Sequence, residues 1–442
     1  MSDLLAVGAS GVKAYSRALS VVGDNIANAQ TEGYVRRNMR LAEAPTAGAM
    51  SVSRQNIHPG GVSAAGVTRG VDQWLVDDAR IAAGEAARHS TRLSWASVTE
   101  RALDGGADGI VENVTGIFTS ADQLSANPND AALRRQLLVN VDQAAGAFRR
   151  TANDLASTAE GVAQAAGGAV RQLNTDLAAL SRVNEGLWRA RSGSINEATL
   201  LDERDRLLSK IATAMDVDVR VDAHGAATVR TASGDPLVQG RFVANITMDV
   251  SSSGVVSFDL SPSTLFQPGS GSLAGLTAAS LHIAGNRAQL DSLAAQLSAT
   301  INAAHQAGID MNGAPGMQLL DFNGRAATMT AAALSTAEVA AASAVGANGN
   351  MLAFGNARTV SGIEQSIAAM ISQQAQATAA ARALESAAST RRDGAFAARD
   401  AVGAVDLDRE AAELLRFQQA YEGAARTIQV ARETMQTIFD IF

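Results

Sequence analysis

A mainly α fold with a small antiparallel β insertion is predicted, with N- and C-terminal coiled-coil helices packing together, a helical-bundle body and an outer β domain. Three observations predict it. Apolar residues recur every seven positions at both ends of the chain. No proline follows Pro315, so the C-terminal run can be continuous helix, interrupted at most near Gly394 and Gly403. From Asp216 the apolar period drops from that of a helix to two. The expected division is 1–45 with 395–442 as a terminal coiled-coil assembly domain, 46–212 with 276–394 as a helical body, and 213–275 as a small β-rich outer domain.

The first element follows from Leu5, Val12, Leu19 and Ile26, seven apart, with Tyr15 and Val22 at the offset a heptad calls d. Gly8, Gly11 and Gly23 lie in the same stretch. Each costs about 1 kcal/mol relative to alanine inside a helix, so this helix needs a surface to lie against. Leu173, Leu177, Leu180 and Leu187 mark a long amphipathic helix, and Leu290, Leu293, Leu297, Ile301 and Ala304 another. Between them Val217, Val219 and Val221 alternate with Asp218, Arg220 and Asp222, and Ala223-His224-Gly225 supplies a turn. Turn residues punctuate the chain to about residue 272, and helix resumes at about Leu276. The stretch from Ala326 to Asn350 is rich in small residues and reads as part irregular, part strand. The last element is the strongest repeat: Leu407, Leu414, Tyr421, Ile428, Met435 and Phe442, flanked by Phe439, with Asp406 or Asp408 placed to cap its start. Ordering a helix costs about 1 to 2 kcal/mol per residue before hydrogen bonds are counted, so each terminal helix alone is marginal and folds when its seam is covered.

Composition excludes several classes. The 442 residues suffice for two to four domains with real cores. Zero cysteine removes disulfides, thiolate metal sites and cysteine nucleophiles together. A net charge of −8, spread along the chain, argues against nucleic acid as a partner, which requires clustered cations. No apolar run approaches the length of a membrane span, and the first residues lack the layout of a cleavable signal peptide. No membrane partner is expected.

The sequence offers no catalytic constellation. His58, His89, His224, His282 and His305 stand in unrelated segments without the i, i+4 spacing of a zinc hydrolase. Asp216, Asp218 and Asp222 resemble a calcium loop only superficially, because Arg220 occupies a ligand position. Asp202, Glu203 and Asp205 alternate with Arg204 and Arg206 and read as the charged face of an amphipathic helix. Gly60, Gly61, Gly66 and Gly70 lack phosphate-loop spacing and read as marking tight β-turns. Gly193 has serines beside it but no nucleophile-elbow pattern. No enzyme, metal or cofactor is implied.

After the first helix stands Asn25-Ile26-Ala27-Asn28-Ala29-Gln30-Thr31-Glu32-Gly33-Tyr34. Asn28 can end the helix, Gly33 can take a positive φ, and Tyr34 restarts an extended segment. The string resembles the signature of bacterial flagellar rod, hook and hook-associated axial proteins, which marks Asn25, Asn28, Thr31, Gly33 and Tyr34 as motif residues. The C-terminal string from Asp406 to Tyr421 resembles the hook-associated protein 1 family among them. Gly60 to Asp72, Leu200 to Leu208 leading into Val217 to Val221, and Ile301 to Asp310 resemble it too. The chain is short for that family, so an outer domain carried by some members is expected to be reduced or absent. The resemblance implies a structural flagellar protein forming the junction ring between hook and filament, extracellular and exported uncleaved by the flagellar type III system. Implied partners are further copies of the chain, hook protein, a second junction protein, and a cytoplasmic export chaperone at the C-terminal helix. The assembly interface is expected on the heptad residues of both ends. Alternatives are another axial protein, a hook or distal rod subunit, which would need a strand-dominated middle, or a helical surface-binding protein, which would need a secretion signal or anchor.

Overall fold

A computed structural model describes residues 2–31, 33–44, 60–260 and 264–440. Glu32, His58 and Phe442 lie outside the described residues, and the Phe439 side chain is likewise not described. The fold is mainly α with small antiparallel sheets, and its long terminal helices pack together. Two compact units result: residues 1–84, 172–245 and 389–442 form the first, and 85–171 with 246–388 form the second.

In the first unit, helix α1 (Ser2–Ala27) and helix α9 (Leu407–Phe439) run antiparallel along each other. Asp406 caps α9 by accepting from Asp408 N at 3.0 Å and Arg409 N at 3.3 Å, which satisfies donors that the first helical turn leaves unpaired. Strands β1 (Arg37–Glu43) and β2 (Val62–Arg69) pair antiparallel with a bulge between Arg40 and Leu41. Gly66 lies inside β2 with φ +139°, not in a tight turn, and its Cα side faces Gly193, where an added Cβ would come within 3.1 Å of backbone. Val67 N donates to Gly193 O at 2.8 Å, so hairpin and loop are joined main chain to main chain. Helix α5 (Ile195–Ala214) follows that loop, and the other face of α1 packs on the hairpin and α5 through Val21, Met39, Val67 and Ala198.

The strands after α5 form two sheets, not one. β3 (Val217–Val221), β4 (Ala227–Thr231), β5 (Pro236–Gln239) and β6 (Phe242–Val243) make a four-stranded meander in the first unit. β7 (Ile246–Val250), β8 (Val256–Leu260) and β9 (Thr264–Phe266) make a three-stranded one in the second.

The second unit takes its core from α3 (Ile110–Ala126), α6 (Gly271–Gln306), α7 (Gly349–Ser361) and parts of α2 (Gln73–Asp104), α4 (Ala131–Arg189) and α8 (Ile363–Gly403). Phe118, Phe148, Leu297, Phe354 and Ile363, each from a different helix, are buried together there. Inside it His305 is wholly buried, its Nδ1 against Met317 O at 2.6 Å and its Nε2 accepting from Ala340 N at 2.9 Å. That arrangement suits only the neutral ring, and burial accordingly lowers its pKa. The segment 326–350 carries short 3-10 turns and a strand, β11 (Thr330–Ala331), paired with β10 (Leu320–Asp321).

Candidate assembly site at the paired termini

The seam between α1 and α9 is built on small residues. Gly8 and Gly11 are buried, and an added Cβ would lie 2.7 Å from Ile428 Cγ1 at the first and 2.9 Å from Ala424 Cβ at the second. Ala14, Ala18, Val21, Val22 and Asn25 complete the buried face of α1. Tyr15 and Val22 therefore lie on the seam as anticipated from sequence, but with Gly8 they hold its a positions, and the d positions are Gly11, Ala18 and Asn25, one residue before Val12, Leu19 and Ile26. On α9 the repeat Leu414, Tyr421, Ile428 and Met435 is half-buried, and the deeper row is Glu410, Phe417 and Ala431. Tyr15 and Phe417 meet with ring centroids 6.5 Å apart, inside a cluster with Ala18, Val22, Leu19 and Leu414.

Of the sequence-predicted interface residues, the structure thus brings together Tyr15, Leu19, Val22 and Leu414 in one cluster, with Ile428 against Gly8. Val12, Tyr421 and Met435 are half-buried along the pair. Leu5, Ile26 and Leu407 are exposed, and with Leu4, Leu415, Val430 and Ile438 they leave apolar side chains open on the paired helices.

Where α1 ends, the motif residues close a turn and a polar knot. Asn28 Nδ2 donates to Asp24 O at 2.9 Å, Thr31 Oγ1 to Asn28 Oδ1 at 3.3 Å, and Gly33 takes φ +79°, a conformation glycine adopts without steric cost. Tyr34 then points back, its hydroxyl donating to Asn25 Oδ1 at 2.9 Å. Asn25 is fully buried: its Oδ1 also accepts from Arg37 N at 3.0 Å, and its Nδ2 donates to Arg37 O and to Glu410 Oε2, both at 2.9 Å. Glu410, at zero exposure, accepts from Arg36 Nε through its other oxygen at 2.6 Å. Burial pushes the Tyr34 hydroxyl up to about 12, so it remains a donor throughout the physiological range.

The knot continues into α5. Asp202 accepts from Arg37 Nη2 and Arg69 Nε, each at 2.8 Å, and Arg69 Nη2 reaches Asp205 at 2.7 Å. Arg204 spans Asp205 Oδ1 and Gly225 O, the latter at 2.6 Å. Asp202 and Arg204 are buried, which corrects their reading as a solvated helix face. Burial raises the Asp202 carboxyl, against the opposing pull of Arg69 and Arg37. Sequence reasoning missed Arg36, Arg37, Arg69 and Glu410 as site residues. Glu410 did stand inside the C-terminal string, but nothing local distinguishes a buried glutamate from a solvated one. Among the described residues no group of three or more acidic or histidine side chains is arranged to hold a metal ion, and no helix is long and apolar enough to cross a membrane.

The two paired termini each match a family model of flagellar axial proteins. Residues 5–34 match the family model of flagella basal body rod proteins, and residues 404–441 match that of the FlgEFG rod protein C-terminus. The middle narrows the class. Residues 96–320 match the helical domain of the flagellar hook-associated protein FlgK, so the chain belongs to the FlgK family. It is 26% identical to flagellar hook-associated protein 1 of Escherichia coli over 72% of this chain and 59% of that one. With its namesake in Bacillus subtilis it shares 24% over 97% and 96% of the two chains. The chain thus spans about 59% of the length of the enteric relatives it matches. The solved hook junction protein FlgK of Burkholderia pseudomallei has a similar fold, with TM-score 0.50 and 22% identity over 55% of this chain and 46% of that one.

Proposed function

We propose that this chain is a structural axial protein of the bacterial flagellum that forms the junction ring between hook and filament. The observation that carries this reading is the α1–α9 pair, fastened at one end by Asn25, Glu410 and Arg36 and open along Leu4, Leu5, Ile26, Leu407, Leu415 and Val430. Residues 1–45 with 395–442 serve as the assembly domain. The in-chain pair covers one face of each terminal helix, and its open apolar side chains are covered by neighbouring subunits in the ring, where burial contributes about 25 cal/mol per Å² of apolar surface. Hook protein lies on one side of the ring and a second junction protein on the other.

The chain reaches that place by type III export, unfolded and without cleavage. With no cysteine in the sequence, no disulfide opposes threading. A cytoplasmic chaperone holds the C-terminal helix beforehand, so a peptide of residues 400–442 gains helix when that chaperone is added in a circular dichroism titration. The decisive experiment is electron microscopy of a deletion strain. Hooks without filaments, restored to full flagella by the plasmid-borne chain, are expected; ordinary filaments on the deletion strain refute the junction role.

A further inference from the structure

We infer that Glu410 is the specificity-determining residue that sets the alignment of α9 on α1, an inference that deepens the assembly reading of the terminal pair. The seam itself discriminates poorly between alignments. Its contact residues on α1 include Gly8, Gly11, Ala14 and Ala18, and α9 offers Ala424 and Ala431, so a two-turn slip that carries Ala431 onto Gly11 and Ala424 onto Ala18 sets small residues on small residues again. Helix pairs of this kind take their register from a buried polar group, whose partners exist in one alignment only.

Asn25 stands on the seam row of α1 with Gly11 and Ala18, and Glu410 on the deeper row of α9 with Phe417, both without solvent exposure. Glu410 meets Asn25 Nδ2 at 2.9 Å and Arg36 Nε at 2.6 Å only in the observed alignment. A two-turn slip one way carries the carboxylate onto Ala18 and Leu19, where no donor waits; the other way sets the Phe417 ring on the Asn25 amide. Asn25 is itself held by Tyr34 and by both main-chain groups of Arg37. The key is therefore complete only after the turn from Asn28 to Tyr34 has closed, which makes docking of α9 conditional on a folded N-terminal turn.

A competing constraint is the short link 404–406 between α8 and α9, whose start is tied down by Arg36 N donating to Gly403 O at 2.9 Å. The test separates the two. The chain has no cysteine, so engineered disulfides report alignment directly. Gly8→Cys is combined in turn with Ile428→Cys, which the structure places in contact, and with Tyr421→Cys or Met435→Cys, each two turns out. All three pairs are made in four backgrounds: the native chain, a chain with three glycines inserted after Ala404, and the lengthened chain with Glu410→Leu or Glu410→Gln. In these variants Arg36 Nη1 keeps Asn38 and Asn25 Nδ2 keeps Arg37 O, but Glu410→Leu leaves the buried Arg36 guanidinium without its carboxylate, so loss of stability is one of the outcomes the three disulfides must distinguish.

The native and lengthened chains are expected to oxidise at 428, with 421 and 435 each below a tenth of that yield. Glu410→Leu in the lengthened chain should raise the two slipped disulfides at least ten-fold, and Glu410→Gln, whose single amide oxygen can accept from only one of the two donors, should restore 428 in part, to a yield between those of the lengthened chain and its Glu410→Leu variant. Three results overturn the inference: slippage on lengthening alone, which makes the link the determinant; persistence of 428 alone in Glu410→Leu; and loss of all three disulfides there, which makes Glu410 a residue of stability and not of alignment. Resistance of the 85–171 and 246–388 segments to protease checks that the second unit is folded in every variant. Alignment is read in the purified monomer, so its failure leaves the junction reading standing, whereas intact filaments on a deletion strain sink that reading alone.

Discussion

The three glycines of α1 should respond oppositely to the same substitution. Gly→Ala inside a helix stabilises by about 1 kcal/mol through propensity, and that contribution is common to all three sites. At Gly23 nothing lies within 4 Å of the new Cβ, so Gly23→Ala should show the whole gain. At Gly11 the new atom would sit 2.9 Å from Ala424 Cβ, an atom with no rotamer to escape into, and at Gly8 it would meet Ile428 Cγ1 at 2.7 Å with Ala424 O at 3.2 Å. Forcing a methyl into a packed seam costs about 1–3 kcal/mol, so Gly11→Ala should be neutral to about 2 kcal/mol destabilising. The difference between Gly11→Ala and Gly23→Ala isolates the packing cost alone. Hydrogen exchange of α9 amides, followed by mass spectrometry with urea, measures it locally, because α9 owes its protection to α1. Ala424→Gly should recover part of the loss in Gly11→Ala, a favourable coupling of about 1 kcal/mol in a double-mutant cycle. If Gly8→Ala and Gly11→Ala both raise α9 protection as much as Gly23→Ala does, the helices do not approach at these glycines.

Asp202→Ala should destabilise the first unit by about 3 kcal/mol in urea titration, because it leaves the buried guanidinium of Arg37 without its carboxylate; Asp205→Ala, which keeps Arg69 on Asp202 but leaves the buried Arg204 guanidinium with Gly225 O alone, should cost a similar amount. Acid should loosen the second unit through His305: its folded pKa is lowered from 6.5, so the stability it confers is whole above about pH 6.5 and falls by up to about 1.4 kcal/mol per pH unit below it, as the unfolded chain takes the proton first. His305→Asn should flatten that acid limb in melts between pH 7 and 5. Tyr421→Asp should abolish filaments while the second unit of the monomer melts as before, since an unpaired carboxylate covered by a neighbouring helix costs several kcal/mol at each contact; export is checked by measuring the secreted chain, and normal filaments would remove this face of α9 from the interface.

Much of the fold was legible because its signals are local. Heptads at both ends, the alternating valines from Val217, and the Asp406 cap each depend on residues within a turn or two of one another. The α1 seam was displaced by one residue because hydrophobic periodicity weighs large side chains, whereas Gly8, Gly11, Ala14 and Ala18 pack by being small. The β1–β2 hairpin went unseen since a long connection separates its strands, and Gly66 within it carries a turn residue's signature. Asp202 and Asp205 read as solvated because their cations, Arg37 and Arg69, are more than a hundred positions away in sequence.

The same distance explains why both end motifs take the form they do. Asn25 alone would be an unpaired amide on a helix seam, and Glu410 alone a buried charge, each costly without the other. Tyr34 and Arg36 supply the remaining donors only if the chain reverses after Asn28, which Gly33 permits. Sequence reading can find these residues as two strings, but their meaning lies in the contact between them. A pair of helices that are marginal alone, a seam of glycine and alanine, and one buried polar contact together give termini that stay unfolded until both are present and then pair in a single way. That is the property an axial subunit needs if it is threaded out as a chain and must fold where it is placed.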